Sequence, residues 1–527
     1  MTVQATNAEK AGPRETFDKF SPVDGRKLGT YEISTSADVE AAVARGREAF
    51  PEWRDRSLEQ RFSYLDRVRD IIRQNGERYA QQISEDTGKP LVDSLMTELM
   101  SIPLFIEYYE KEAPKALRRR RLMPQLLFPG KTSYIEYFPK GVVGIIGPWN
   151  FPFQLTVIPM ISALIGGNTV VVKPSEVTPV TGELIRELFE EAEFPTGVVE
   201  VVQGDGSTGA ALTSADVDML FFTGSVATGR KVMAAAAEKP IPVELELGGK
   251  DAMIVCEDAH LERAARAAVW GGFLNCGQMC VSVERLFVVE PIYDEFVKLV
   301  QQEVERLRVG SPDEGSDMGP MTCGNQIDIV SHHIEDARTK GATIVTGGKS
   351  KEGPGQFFEP TLVVDVTTDM EIYREETFGP VLPIIKVADA EEALRMANDH
   401  KYGLTGSVWT GDKSRGLELA SRMESGQTSV NDLVTSVGNP ALPFGGVKQS
   451  GFGRYHGHEG LHSFMNQKAI MVSGDFLSVE PFWFPYAAKY PTVYRTFKGL
   501  LGGSMVTAMK GFWDMIHMTR NRAGTED

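Results

Sequence analysis

The chain has 527 residues, too many for one hydrophobic core, so two or more domains are expected. Hydrophobic residues at 42% and charged residues at 24% are the balance of a globular protein. With 55 basic against 72 acidic side chains the net charge is −17, which argues against a nucleic-acid binder, whose footprint is basic. Residues 1–16 are polar and lack an apolar run, so they read as a disordered leader rather than a signal peptide. Asp38 to Phe50 and Leu58 to Asn75 carry apolar residues at helical spacing, and a further helical stretch runs from Arg78 towards Glu112. The basic run Arg118 to Arg121 has no interleaved aromatics and reads as a solvated loop. Ser133 to Val143 is different, with alternating β-branched and aromatic residues punctuated by Pro139 and Gly141.

Beyond it the rhythm becomes strand, turn, helix. Val142 to Ile146, Thr169 to Val172, Val198 to Val202 and Met219 to Phe222 are short apolar runs. Thr181 to Glu193 and Gly229 to Glu238 are helical stretches between them. A second block, Gly248 to Pro440, has the same alternation. In it, helical Leu261 to Leu274 and Pro291 to Arg308 are interspersed with strand-like Arg285 to Val289, Thr343 to Thr346 and Val381 to Lys386. Such alternation predicts parallel sheets with covering helices, here two α/β domains of similar size. No window holds the roughly 18 apolar residues needed to span a bilayer. The four cysteines, Cys256, Cys276, Cys280 and Cys323, are too few for a disulfide framework and fit a reducing cytoplasm.

Three segments carry candidate chemistry. In Asn275-Cys276-Gly277-Gln278-Met279-Cys280-Val281 a thiolate could attack a carbonyl carbon, although an inert core thiol is the default for either cysteine alone. In Leu245-Glu246-Leu247-Gly248-Gly249-Lys250 two glycines let the backbone approach a ligand beside a carboxylate. In Gly147-Pro148-Trp149-Asn150-Phe151-Pro152 an amide among bulky apolar groups is suited to donate to an oxyanion, or is simply a turn residue.

These segments, in this order, resemble the signatures of the aldehyde dehydrogenase superfamily. Lys173-Pro174-Ser175-Glu176, Phe222-Thr223-Gly224-Ser225, Glu375-Glu376-Thr377-Phe378-Gly379-Pro380 and Pro443-Phe444-Gly445-Gly446 match it too, and the similarity spans roughly residues 17 to 472. The resemblance implies two Rossmann-like α/β domains plus a small β oligomerisation arm. An NAD-binding domain would take residues 17–130 and 144–247, and a catalytic domain 248–440. Residues 131–143 and 467–473 would form the arm, 441–466 would return to the NAD-binding domain, and 474–527 would be an extension. It further implies that Cys280 attacks the aldehyde and that Asn150 and the Cys280 N–H hold the oxyanion of the thiohemiacetal. Hydride then passes to NAD, and Glu246 activates the water that hydrolyses the thioester. The Gly-Gln-x-Cys pattern selects Cys280 over Cys276. Trp149, Lys173, Glu176, Gly224, Ser225, Gly229, Leu247, Glu376 and Phe378 are the implied cofactor residues. A carboxylate at Glu176 would repel a 2′-phosphate and so favour NAD over NADP.

Phe151, Phe273, Met279, Val281 and Phe444 are candidates for the walls of an aldehyde channel, which favours medium- or long-chain aliphatic or aromatic aldehydes. Succinate semialdehyde is the alternative substrate, and no particular Arg or Lys can be nominated for its distal carboxylate. Of the other readings, a CoA-acylating enzyme is opposed by Glu246, and a non-catalytic binding protein on this fold is opposed by the intact Cys280, Glu246 and Asn150. His458-Glu459-Gly460-Leu461-His462 fits the zinc-protease pattern, but Gly460 weakens the helix that must align both histidines and no third ligand follows, so no metal is expected. His332-His333 reads as a helix face without an acidic partner at metal spacing. A homodimer or homotetramer in the cytoplasm, with no nucleic-acid partner, is the expectation. The extension carries Phe482, Trp483, Phe484, Tyr486, Tyr490, Tyr494 and Phe497, then an amphipathic stretch from Gly499 to Met518 flanked by Lys498, Lys510, Arg520 and Arg522. It either packs on the enzyme's own surface or across subunits, or it touches a membrane peripherally or closes over the aldehyde.

Overall fold

The computed structural model describes residues 14–124, 128, 130–474, 480, 483–484, 486 and 489–522. Residues 1–13 of the expected leader and Phe482 lie outside the described residues, as do the side chains of 518–522. The chain divides into two compact units. One runs up to Ala116 and resumes over Pro139–Asn466; the other is Leu117–Phe138 with the chain from Gln467 onwards.

The first unit is α/β, as the alternation predicts, with two large sheets and two small two-stranded ones. The six-stranded sheet has the order Gly451–Phe452, Val243–Glu246, Met219–Thr223, Val142–Ile146, Thr169–Lys173, Val199–Val201. The last five strands run parallel, and Gly451–Phe452 pairs antiparallel at the edge. Val142–Ile146 and Thr169–Lys173 are buried at every position because helices cover both faces, which is why they read as unbroken apolar runs. The seven-stranded sheet has the order Thr343–Thr346, Thr361–Val364, Val381–Val387, Val283–Val289, Asp251–Val255, Thr405–Trp409, Gln427–Val430, with only Thr343–Thr346 antiparallel. Its core is a contiguous cluster of Ala, Val, Ile, Leu and Phe side chains from these strands and their helices.

The second unit contains a three-stranded sheet of Arg120–Arg121, Lys131–Pro139 and Met465–Ser473, the last strand beginning at the end of the first unit. The expected loop at Arg118 to Arg121 is corrected here, since Arg120 and Arg121 pair with Ile135 and Tyr134. Val142 and Val143, read with the arm, lie in the six-stranded sheet instead.

The helical stretches read separately before and after Asn75 form one helix, Leu58–Thr87. A capping box between Ser57 and Gln60 starts it, and Gly76 costs about 1 kcal/mol without breaking it. Gly88 ends it in the left-handed conformation at φ +83. The chain then continues through Leu91–Asp93, a π-helical turn at Ser94–Leu99, and Ser101–Ala116. Such turns are frequent at functional sites, and this one carries Glu98, a fully buried carboxylate.

A Cβ on Gly88 would lie 2.6 Å from Pro320 Cγ in a backbone region that L-residues avoid. Gly88→Ala is therefore expected to cost about 1–3 kcal/mol, read as a lower thermal midpoint. An unchanged midpoint would show that the turn relaxes freely.

Candidate active site

Ligands of parallel α/β sheets bind beyond the carboxyl ends of the strands. Here four neighbouring strands deliver Gly147, Lys173, Gly224 and Leu247 to one cavity of about 730 Å³. Cys280, Glu246 and Asn150 line the same cavity, together with Trp149, Glu176, Ser225, Glu376 and Phe378. Residues from 146 to 378 in sequence thus meet at one site.

Cys280 is presented by a tight turn. The helix Leu261–Phe273 ends, and Asn275, Cys276 and Gly277 follow at φ +51, +58 and +69. Two non-glycine residues in the left-handed region store strain that the surroundings must hold. At Gly277 a side chain is excluded, since a Cβ would lie 2.1 Å from the Gly379 carbonyl oxygen. Gln278 locks the turn: its Nε2 donates to the Asn275 carbonyl at 3.0 Å, and its Oε1 accepts from Thr322 N–H at 2.9 Å. The turn separates the two thiols. Cys276 packs in the core of the seven-stranded sheet, whereas Cys280 faces the cavity.

The Asn150 loop is tied to that turn. Asn150 Nδ2 donates to the Gln278 carbonyl at 3.0 Å, which uses one of its two amide protons and leaves the other for the cavity. The Asn150 carbonyl accepts from Asn275 Nδ2 at 3.0 Å and from Lys89 Nζ at 2.8 Å. Lys89 also pairs with Glu98 at 2.5 Å, and both are buried. Glu98 in turn accepts the N–H groups of Phe153 and Gln154 at 3.1 and 2.9 Å, so one buried ion pair holds both ends of the loop.

The paired glycines have a steric reason. A Cβ on Gly248 would lie 2.2 Å from Glu376 Oε2, and one on Gly249 2.1 Å from the Cys280 carbonyl oxygen. Gly249 N–H donates to Glu376 at 2.9 Å. Phe378 sits at φ +52, held by Glu284, whose oxygens accept the N–H groups of Thr377 and Phe378 at 2.7 and 3.0 Å. Lys250 neutralises Glu284 at 2.5 Å, and the Phe378 ring meets Trp149 edge-on at 5.3 Å.

Charge is expensive in this cavity. Burial pushes the Glu246 carboxyl well above its ordinary range, the neighbouring Glu244 pushes it further, and Arg454 opposes them. Both Glu246 oxygens are buried without a hydrogen-bond partner, the state of a group kept for another reactant. Burial and nearby Glu284 raise Glu376 to about 8, despite its Gly249 and Lys250 partners. Burial, then Glu376, Asp251 and Glu246, push the Cys280 thiol up, so the resting side chain is a thiol rather than a thiolate.

The opposite end of the cavity fits an anionic, ribose-bearing ligand. Ser225 caps the helix Val226–Ala237, accepting from Thr228 N–H at 3.2 Å, and that helix end faces the cavity. Lys173 Nζ holds Glu176 at 2.9 Å. Gly229 lies one layer back, where a Cβ would strike Leu247 Cδ2 at 2.6 Å; it lets Leu247 pack against the helix and line the wall.

The expected aldehyde-channel residues do not line this cavity. Phe273 belongs to the core of the seven-stranded sheet, and Met279 and Val281 are buried on either side of Cys280. Phe151 lies under Lys89 Nζ at 4.2 Å, and Phe444 packs on Tyr455 and His456. The His-Glu-x-x-His segment forms a short helix, Gly457–Ser463. Its histidines are engaged separately: His458 Nε2 with Glu112 at 2.9 Å, His462 Nε2 with the Ala116 carbonyl at 2.9 Å. Gly460 is there because a Cβ would lie 2.8 Å from the Tyr455 Cα. His332 does have an acidic neighbour, Glu371 at 3.0 Å, contrary to expectation. Sequence reasoning missed Lys89, Glu98 and Glu284. Glu98 and Glu284 left a signal as charged residues inside apolar helical and strand patterns, positions tolerated only when paired, whereas Lys89, between Gly88 and Pro90, left none.

The profile described as the aldehyde dehydrogenase family matches residues 8–470. A Methylomonas protein named 4,4'-diapolycopene aldehyde oxidase is 43% identical over 487 residues, 92% of this chain and 91% of its own length. A provisionally assigned NADP(+)-dependent succinate-semialdehyde dehydrogenase of Mycobacterium tuberculosis H37Rv is 38% identical over 90% of this chain and 92% of its own. The crystal structure of a Mycobacterium tuberculosis aldehyde dehydrogenase complexed with NAD+ superposes with a TM-score of 0.84 at 34% identity, covering 90% of this chain and 97% of that one.

Removing Lys89 leaves Glu98 charged and buried, so Lys89→Met is expected to cost about 3–5 kcal/mol. Adding Glu98→Gln should recover part of that loss in urea unfolding. A double variant no more stable than Lys89→Met would show that the pair is not what holds the loop.

Proposed function

The chain belongs to the aldehyde dehydrogenase family and is an oxidoreductase of aldehydes, and from that premise we propose that Cys280, Glu246 and Asn150 carry a hydrolytic oxidation. The overall reaction is RCHO + NAD⁺ + H₂O → RCOO⁻ + NADH + 2H⁺. The observation that carries this reading is the convergence of the three side chains on one cavity, with both oxygens of Glu246 unengaged.

The Cys280 thiol gives its proton to solvent as its sulfur adds to the aldehyde carbon, forming a C–S bond while the C=O π pair moves onto oxygen as an oxyanion. The free Asn150 amide proton and the Cys280 N–H stabilise that oxyanion; one such donor is typically worth about 3–4 kcal/mol. NAD fits the rest of the cavity, where Lys173 and Glu176 would hold its adenosine ribose, the Ser225 helix end its pyrophosphate and Glu376 the second ribose. When bound, it supplies the two-electron acceptor that turns the adduct into a thioester. Glu246 then takes a proton from water as the hydroxide attacks the thioester carbon, and the carboxylate departs as the Cys280 thiol is restored. Glu176, only half-exposed beside Lys173, disfavours a 2′-phosphate and supports NAD over NADP.

The aldehyde is proposed to be apolar, medium- to long-chain or aromatic. The relative named 4,4'-diapolycopene aldehyde oxidase supports this. Succinate semialdehyde is the second reading, favoured by relatives named for it; its distal carboxylate needs a cation, and of the two lysines on the cavity wall Lys173 already holds Glu176, which leaves Lys231. A cytoplasmic homodimer or homotetramer is the proposed setting.

NADH formation across an aldehyde panel tests the roles. Cys280→Ala should abolish turnover, and Glu246→Gln should give one burst of NADH and then stall by roughly two or more orders of magnitude. Full steady-state turnover in either variant would refute the assignment. Because burial raises the Glu246 carboxyl well above the ordinary carboxylate range, its base form grows only at higher pH, so wild-type turnover should still be climbing with pH above that range. A flat profile would remove Glu246 as the base.

A further inference from the structure

The tail buries Phe512, Met515 and Ile516, yet it leaves an unusual number of large apolar side chains in water. Its helices, Tyr490–Leu501 and Met505–Arg522, turn back on each other through Gly502, Gly503 and Ser504. They meet along small residues: a Cβ on Gly499 would lie 2.6 Å from the Ala508 backbone nitrogen, and one on Gly511 2.2 Å from Thr496 Oγ1. An Arg495–Asp514 bridge at 3.1 Å adds to the contact. On the first helix Thr492, Thr496 and Gly499 are buried, while Tyr490, Tyr494, Phe497 and Leu501 face out. On the second, Met505, Val506, Met509 and Trp513 face out, with exposures of 52–78%.

Water selects large apolar residues for the helix–helix seam and polar ones for the outside. Lipid selects small residues at the seam, because close backbone approach drives packing there and the outside can stay apolar. The outward side chains recur three or four residues apart, so each helix presents one apolar stripe. The charge is also reversed. Residues 490–522 hold five basic side chains (Arg495, Lys498, Lys510, Arg520, Arg522) against Asp514, a balance of +4 in a chain of −17. Joining two copies through this face would bring like charges together, whereas anionic headgroups complement them. No described helix is long and apolar enough to cross a membrane, so the hairpin would lie along one.

We propose that the 490–522 hairpin seats in the headgroup–acyl boundary of an anionic bilayer, with Tyr494, Phe497, Met509 and Trp513 on its lipid side. This rests on the tail alone and is independent of the catalytic assignment. The test is flotation of the full-length protein with vesicles of phosphatidylcholine alone or with added phosphatidylglycerol. Binding is expected to the anionic vesicles, weaker in high salt. The pair Phe497→Ser and Trp513→Ser should reduce it by roughly tenfold or more while NADH formation from a small soluble aldehyde is kept. Wild-type protein that stays unbound on both vesicles overturns the proposal, and so does a double variant that floats as well as wild type. Light scattering gives the third outcome: if the pair of substitutions dissociates an oligomer, the face belongs to a second copy and the proposal fails.

Discussion

The carbonyl oxygen of Asn150 accepts Lys89 Nζ from one side and Asn275 Nδ2 from the other, and the site depends on those two hydrogen bonds. Through Asn275 it reaches the strained turn that carries Cys280; through Lys89 it reaches Glu98 and the N–H groups of the next helix. The amide and the thiol are thereby set relative to each other by main-chain atoms rather than by each other. Buried ion pairs seldom add net stability over apolar packing. What Lys89–Glu98 contributes is geometry, because a Met–Leu pair could not donate to a carbonyl or accept two N–H groups.

A parallel logic operates across the cavity. Glu284 is spent on the main chain of Thr377 and Phe378, and Lys250 balances it, so that Phe378 can stay at positive φ against Trp149. Carboxylates with partners shape the walls, and the one without, Glu246, is left to react. The same low polarity that lifts Glu246 also lifts Glu376 and Cys280.

Much of this was legible in the sequence. Unbroken apolar runs such as Thr169 to Val172 are what a strand covered on both faces must look like, and they are strands. Asn150, Glu246 and Cys280, singled out by their neighbours, converge on one cavity. What escaped was set by distant partners. The helix through Gly76 persists because its buried face outweighs one poor residue, and nothing local announces that. Phe273 and Met279 are apolar and near Cys280 in sequence, but both are buried, Phe273 in the core of the seven-stranded sheet, and sequence spacing carries no such direction. In the tail, aromatic content was plain, yet only the fold reveals that Gly499 and Gly511 take the seam and leave the rings outside.

The protonated state of Cys280 bears on how long such a protein lasts. Peroxides and alkylating agents consume thiolates, and a thiol that keeps its proton at rest reacts with them slowly. Burial beside three carboxyl groups therefore acts as a chemical safety catch, released only as the carbonyl carbon is attacked. Cys276, sealed in the core four residues earlier, is protected by exclusion instead. One short segment thus holds two cysteines spared in different ways: Cys276 by its place in the core, Cys280 by surroundings that keep its proton on.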